Sequence, residues 1–308
     1  MKTKKVEILL ATYNGAQYLR EQLESIVNQD YENWVVRACD DASTDDTYNI
    51  LKEYQEKYPD KFIITKNERG FGSAKKNFMN LIKNSTCEYV MCCDQDDVWL
   101  PSKISLTLQA MRENEQGEMP VLVHTDLKVV DANLNVLSES FFEHSNFRKK
   151  FELNEILIQN FVTGCTMMMN RPMATLMSRV EDCDRILMHD WVASILATSV
   201  GTVAFVDAPT MLYRQHAVNS VGAKKYGFAL FLSKLKEAKM RQSLIDTTVQ
   251  VSTIAELYQD ILDKEKYQFI QQYGMLWKKN KVQRIGFYLK NRVLKKGLPR
   301  KVCQLIVG

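Results

Sequence analysis

Apolar and polar positions alternate in two registers along the first hundred residues. VEILLAT (Val6–Thr12), WVVRACD (Trp34–Asp40), KFIITKN and CEYVMCCD are near-continuous apolar runs, which predict strands buried on both faces. Between them lie AQYLREQLESIVNQ, TYNILKEYQEKY and GSAKKNFMNLIKN. Their apolar residues recur three and four apart, as at Leu19, Leu23, Ile26 and Val27, and predict helices with one buried stripe. Strand alternating with helix implies parallel pairing through right-handed crossovers, hence an α/β sheet. From Trp99 to Gly222 the pattern is mixed. A helix over Ser102–Glu113 precedes strand-like VLVHTDLKVVD, apolar FVTGCTMMMN, helical DWVASILATSV, and strand-like TVAFVD and TMLYRQ. Beyond Ala223 the pattern is helical, with no proline until Pro299. Residues 1–98 and 99–222 therefore read as two halves of one domain, followed by a helical region over 223–308. No repeat or Pro/Gly-rich linker marks either boundary.

The polar clusters TYNG, DDASTDD, NERGFG and DQDD each follow one of the four strands, at their carboxyl ends. Open α/β sheets bind ligands at that edge. The DQDD cluster crowds Asp94, Asp96 and Asp97 just where a buried strand ends, and carboxylates so close are costly unless neutralised. It is either a solvated acidic turn or a cation grip. An EF-hand is excluded, because its fifth and sixth loop positions fall on Val98 and Trp99. An Asp-x-Asp after a strand suits Mg²⁺ or Mn²⁺ shared with a substrate diphosphate. DDASTDDT offers Ser43, Thr44 and Asp45 as helix caps, or a strand-end carboxylate for a base or ribose. GFGSAKKN lacks the third glycine of a dinucleotide loop and follows the third strand, although Lys75 and Lys76 near a helix start can reach phosphates. Asp190 in LMHDWVAS reads as a helix cap or a reactive acid. A lone histidine such as His216, in YRQHAVNSVG, is more often structural than a ligand. P-loop, G-x-S-x-G and H-E-x-x-H motifs are absent.

Composition narrows the class. With 308 residues, 45% hydrophobic and 25% charged, the chain has the make-up of an ordinary globular protein. Seven cysteines, an odd number without a CxxC pair, point to a reducing, cytoplasmic compartment. No window approaches a membrane span, and the N-terminus reads as a first strand rather than a signal peptide. The net charge of +4 hides an asymmetry. Ten of the 41 Lys/Arg lie between Lys278 and Lys301 with no acid among them, and the remaining 31 against 37 acids leave everything else at −6. A basic tail on an acidic body speaks against nucleic-acid binding.

Taken in order, ILLATYNG, DDASTDDT, NERGFGSAKKN, DQDDVWLPSK, VTGCTMMMN, MHDW and YRQHAVNSVGA resemble family 2 glycosyltransferases of the GT-A fold. More narrowly they resemble the bacterial rhamnosyltransferases of cell-wall polysaccharides, over residues 4–225. The resemblance implies an α/β, mostly parallel mixed sheet flanked by helices, with a C-terminal helical extension. Residues 1–98 become the nucleotide-sugar half and 99–222 the acceptor half. Thr12, Tyr13 and Asn14 would line the nucleotide pocket, Asp41 would contact the base, Lys76 would approach the diphosphate, and Asp94 would face the sugar or ribose. Asp96 would bind Mn²⁺ or Mg²⁺, His216 would add a metal contact, and Asp190 would be the general base. The family usually carries Gly where this chain has Ala42, a swap that matters only if the turn needs φ > 0.

The implied activity is inverting, metal-dependent transfer of L-rhamnose from dTDP-L-rhamnose to a polyprenyl diphosphate-linked saccharide. Transfer from UDP-glucose or UDP-galactose is the rival within the family, and a catalytically inactive nucleotide-sugar-binding scaffold the rival outside it. A nucleotidyltransferase would need a glycine- and Lys/Arg-rich triphosphate loop that is missing. In the tail, Trp277, Ile285, Phe287, Tyr288, Leu289 and Val293 interleave with the cations. That spacing suits a helix lying on an anionic inner leaflet, a basic face packed on the body, or an oligomer contact.

Overall fold

The computed structural model describes residues 4–216 and 234–308. The end of the YRQHAVNSVGA segment and the expected boundary at 222/223 lie outside the described residues. The first half follows the predicted alternation within a residue or two: β1 (Val6–Thr12), α1 (Ala16–Val27), β2 (Trp34–Asp40), α2 (Thr47–Lys57), β3 (Phe62–Lys66), α3 (Ala74–Lys83) and β4 (Tyr89–Cys93). β1 pairs parallel with β2 and β4, and β2 with β3.

The second half contains β5 (Val98–Trp99), α4 (Lys103–Asn114), β6 (Val121–Val130), β7 (Val136–Ser138), α5 (Phe141–Ser145) and α6 (Leu153–Ile156). It continues with β8 (Met168–Asn170), α7 (Arg171–Met177), α8 (His189–Val200) and β9 (Thr202–Arg214). Among the described residues the strands form one nine-stranded sheet, ordered β3-β2-β1-β4-β8-β6-β9-β5, with β7 paired to β6. TVAFVD and TMLYRQ are one strand, β9, rather than two. Pro209 interrupts the apolar run where the β6–β9 register shifts near Asp126, and a strand tolerates proline at such an irregularity.

Strand direction places the site. β8 runs antiparallel to β4, so the turn before it, with a short 3₁₀ stretch at Gly164–Thr166, lies at the carboxyl end of β4. β6 runs antiparallel to β8 and β9 parallel to β6, so β9 ends at the same edge. Residues 94–97, 163–167 and 213–216, remote in sequence, are thereby gathered.

The sheet separates two apolar layers. Ile8, Leu10, Met91 and Cys93 face α1, α2 and α4, whereas Leu9, Val90 and Cys92 face α3, α7 and α8. The second layer extends into α9 (Lys234–Leu257), α10 (Lys264–Gly274), α11 (Lys281–Lys290) and α12 (Leu298–Val307), through Val251, Ile254, Tyr258, Ile270 and Tyr273. In the tail, Tyr288 and Val293 are fully buried and Trp277 and Phe287 pack against that core, leaving Leu289 exposed. Most of the aromatic and apolar residues that the sequence offered to a lipid surface thus hold the tail to the body. No helix among the described residues is long and apolar enough to cross a membrane.

Candidate active site

The turns after β1, β2 and β3 are stitched together by carboxylates whose oxygens are occupied. Thr12, buried at the end of β1, donates its hydroxyl to Asp40 Oδ1 at 3.2 Å. Asp40 Oδ2 also accepts the Ser43 N–H at 3.0 Å. Asn14, at φ 46°, donates its N–H to Ser43 Oγ at 2.9 Å, and its side-chain oxygen accepts the Thr44 N–H at 2.9 Å. Asp45 accepts the N–H groups of Ala16 (3.1 Å) and Thr47 (3.0 Å). Of the residues expected to line the nucleotide pocket, Thr12 and Asn14 thus anchor the turns with their polar groups, while Tyr13 is 57% exposed.

Asp41 is buried and fully engaged. Its Oδ1 accepts from Asn67 Nδ2 at 3.2 Å and from the Phe71 N–H, and its Oδ2 accepts the Gly72 N–H at 3.0 Å. It therefore shapes the NERGFG loop, whose Gly70 and Gly72 both hold φ 67°. Ala42 sits at φ 62°, the left-handed conformation that the family's usual glycine adopts without strain. Lys76 Nζ lies 3.0 Å from Asp184, and Lys75 Nζ donates to the Ile186 carbonyl at 2.5 Å, so both lysines bind the chain just before α8.

The turn after β4 is different. Asp94, half-buried, has a carboxyl pushed above its ordinary range by burial and by repulsion from Asp96 and Asp190. Asp97 is completely buried. Its Oδ1 accepts the Arg214 N–H at 3.0 Å, whereas Oδ2 has no hydrogen-bond partner among the described residues. Burial, with Asp96 and Asp94 nearby, pushes its carboxyl well up. One ligand atom each from Asp94, Asp97 and Cys165 lie within 4.8 Å of one another. Asp96 Oδ2 is 2.8 Å from His216 Nε2, so the two expected metal ligands do meet.

Asp190 occupies the first turn of α8 and is close enough to Asp94 to repel its charge. Its Oδ2 accepts the Gly164 N–H at 3.1 Å, and its Oδ1 has no hydrogen-bond partner among the described residues. Burial raises its carboxyl to about 7, against the opposing pull of the Trp191 and Gly164 N–H groups. His189 is buried and stacked on Phe78 at 4.3 Å. A side chain at Gly164 would come within 2.8 Å of the His189 ring, so glycine is required for the 163–167 turn to reach Asp190.

Four further side chains complete the edge. Gln95 clamps Tyr13, accepting its N–H at 2.8 Å and donating to its carbonyl at 2.9 Å. Arg214, 2% exposed, pairs with Glu21, donates to the Asp96 carbonyl at 2.8 Å and stacks over Tyr18. Lys103, also buried, donates to Thr210 Oγ1 at 3.2 Å. Burial lowers its pKa to about 8, opposed by Cys165, Cys93 and Asp97. Burial raises the Cys165 thiol well above its ordinary value, with Asp97 and Asp94 adding to the shift. An arginine inside the apolar run TMLYR was the available signal, since a buried cation requires partners. Gln95 and Cys165 carried none.

Neither of two clefts is lined by Asp94, Asp96, Asp97 or Asp190, although the second includes Asn67 and Phe71, the partners of Asp41. One of about 420 Å³ lies between Tyr31 and α4, and one of about 350 Å³ lies between β3 and α3.

The donor set suits a hard divalent cation. Carboxylate oxygens dominate it, an orphaned buried oxygen of Asp97 adjoins it, and the protonated Cys165 thiol is a poor ligand for Mg²⁺ or Mn²⁺.

Comparison with known proteins places this geometry. The sequence profile described as "Glycosyl transferase family 2" matches residues 7–176. The dTDP-rhamnosyl transferase RfbG of Shigella flexneri is 32% identical over 223 residues, which are 70% of this chain and 74% of that protein. Among solved structures, TarS 1–349 of S. aureus superposes with a TM-score of 0.59 at 16% identity, over 87% of this chain and 90% of that one. The mannosyltransferase PcManGT from Pyrobaculum calidifontis, solved with GDP-Man and Mn²⁺, gives 0.56 at 14%, over 94% and 76%.

Proposed function

This chain belongs to glycosyl transferase family 2, with the GT-A fold, and from that membership we propose that it transfers L-rhamnose from dTDP-L-rhamnose, with inversion, to a polyprenyl diphosphate-linked saccharide. The product would be a rhamnose-containing cell-wall or capsular polysaccharide. The observation that carries the proposal is the geometry at the carboxyl edge of the parallel strands, where Asp96 Oδ2 lies 2.8 Å from His216 Nε2 and Asp190, held by the Gly164 N–H, keeps a buried oxygen without a partner among the described residues. The rhamnose donor rests on the likeness to RfbG.

Asp96 and His216, with Asp94 beside them, would hold Mn²⁺ or Mg²⁺, which supplies positive charge against the departing diphosphate. Asp190 performs the proton chemistry. Asp190 takes the proton of the acceptor hydroxyl, with its carboxylate oriented by the Gly164 N–H on Oδ2. A pKa of about 7 keeps a usable fraction of carboxylate at neutral pH while leaving it basic enough to accept a proton. The start of α8 favours that anion. A base on the face opposite the leaving group gives one displacement and an inverted anomeric centre. Arg214 holds the backbone of Asp96, and Gln95 holds Tyr13, so the metal turn and the nucleotide turn keep a fixed separation.

Thermal unfolding with dTDP-rhamnose, UDP-glucose, UDP-galactose and UDP-N-acetylglucosamine, each with Mn²⁺ or Mg²⁺, tests the donor. A ligand that binds only the folded state raises Tm in step with its affinity. The largest shift is expected for dTDP-rhamnose with metal. A response to UDP-sugars alone would discard rhamnose and keep the fold and family.

A further inference from the structure

Six of the twelve large apolar side chains left exposed among the described residues lie between Met275 and Ile306. On α12, Leu298, Val302 and Ile306 are 71, 47 and 53% exposed and spaced four apart, so they form one outward stripe. On α11, Val282 and Leu289 are 80 and 55% exposed and seven apart, again on one face. The two helices meet where Lys281 Nζ donates to the Ile306 carbonyl at 2.5 Å and Arg284 Nε to the Gly308 carbonyl at 3.0 Å. Their inner faces are already committed. Tyr288 is buried in the core, and the buried Gln304 donates to the Val293 carbonyl at 2.9 Å and accepts the Lys295 N–H at 2.8 Å.

Around the outward stripe lie exposed Lys290 and Lys301, part of the ten-cation, acid-free run from Lys278 to Lys301. We propose that the α11–α12 face docks on an anionic phospholipid bilayer. Lysine is depleted at protein interfaces, and a run without any acid offers no charge pattern to register on a defined protein face. A laterally uniform anionic surface needs none. The stripe enters the headgroup boundary while the long lysine stems lie along it with their ammonium groups on phosphates. This surface keeps Leu289 from the set the sequence marked and loses Trp277, Phe287, Tyr288 and Val293, which pack into the core. It depends on nothing assumed about the donor sugar.

Co-sedimentation of the full chain with phosphatidylcholine vesicles, with and without phosphatidylglycerol, is the test. Binding is expected to the anionic vesicles, weakened by salt and weak to phosphatidylcholine alone. The variant Lys290→Gln/Lys301→Gln, which spares the Lys281 contact, should lose about 30-fold in partitioning at low salt. Leu298→Gln/Val302→Gln/Ile306→Gln keeps every cation and should lose about tenfold or more. Both alter exposed positions, and unchanged melting curves establish that they fold. Absence of binding to anionic vesicles, or both variants binding like the parent, would overturn the proposal. So would light scattering that shows a dimer abolished by the apolar variant in a protein that ignores vesicles, which would assign the face to a second copy.

Discussion

The carboxyl edge of the sheet has two acidic rims that behave in opposite ways. After β2, Asp40, Asp41 and Asp45 accept hydrogen bonds from backbone amides and side chains of the three neighbouring turns. After β4, Asp97 and Asp190 each keep a buried oxygen without a partner among the described residues, and Asp94, Asp97 and Asp190 all resist ionisation. Acid content is similar; satisfaction is not. The first rim is a scaffold that fixes loop shape, whereas the second holds unspent electrostatic demand, the condition of groups that take up cations and protons.

The contrast breaks most sharply at Asp190. Asp190→Asn should lower kcat for transfer about 10²–10⁴-fold. Donor-induced thermal shifts should survive, because the amide oxygen still accepts the Gly164 N–H. Unchanged turnover would remove Asp190 from the chemistry. Folding raises this carboxyl above its ordinary value of 3.8, so it favours the protonated form. That contribution is complete below about pH 4 and lost as pH rises through about 7. The same variant, locked neutral, should therefore be more stable than the parent at alkaline pH, by on the order of 1–3 kcal/mol, and denaturant titrations at acid and alkaline pH would show it.

The scaffold rim predicts the reverse. Asp41→Asn turns one accepting oxygen into a donor against the Phe71 or Gly72 N–H. It should cost about 1–3 kcal/mol in denaturant unfolding at any pH near neutrality. A loss of activity with intact stability would move Asp41 from scaffold to chemistry.

A gentler probe is pH itself. With Asp190 as base, kcat/KM should fall about tenfold per unit below about pH 7 and level off above it. A flat profile through neutrality would show that another group takes the proton. The smallest effect belongs to Ala42. Ala42→Gly relieves the left-handed strain at φ 62° but loosens the unfolded chain, for a net stabilisation of about 0.5–1 kcal/mol by thermal melting.

Much of this was legible in the chain. β1 and β2 occupy VEILLAT and WVVRACD residue for residue, because parallel strands buried on both faces leave unbroken apolar runs. The clustering of polar turns at one edge followed from the same alternation. The short strands β5 and β7 and the helices α5 and α6 were not legible, since two to five residues are too few for a period to repeat. Within the site, Asp94, Asp96, Asp190 and His216 were marked by the resemblance, and the structure brings all four to one edge. Asp41, Thr12 and Asn14 were marked by the same resemblance, and the structure shows their polar atoms bonding within the turns.

The order of elements, the parallel half of the sheet, the acidic edge and the separation of a basic tail from an acidic body were determined by the sequence alone. Each depends on neighbours within a few residues or on simple addition of charge. Tertiary structure decided which carboxylates are satisfied, which face of the tail remains open, and which arginine and glycine hold the acidic edge together. Those properties arise where residues 94–97 meet 164, 190 and 214, and hydrogen bonding and desolvation depend on what surrounds a group in space.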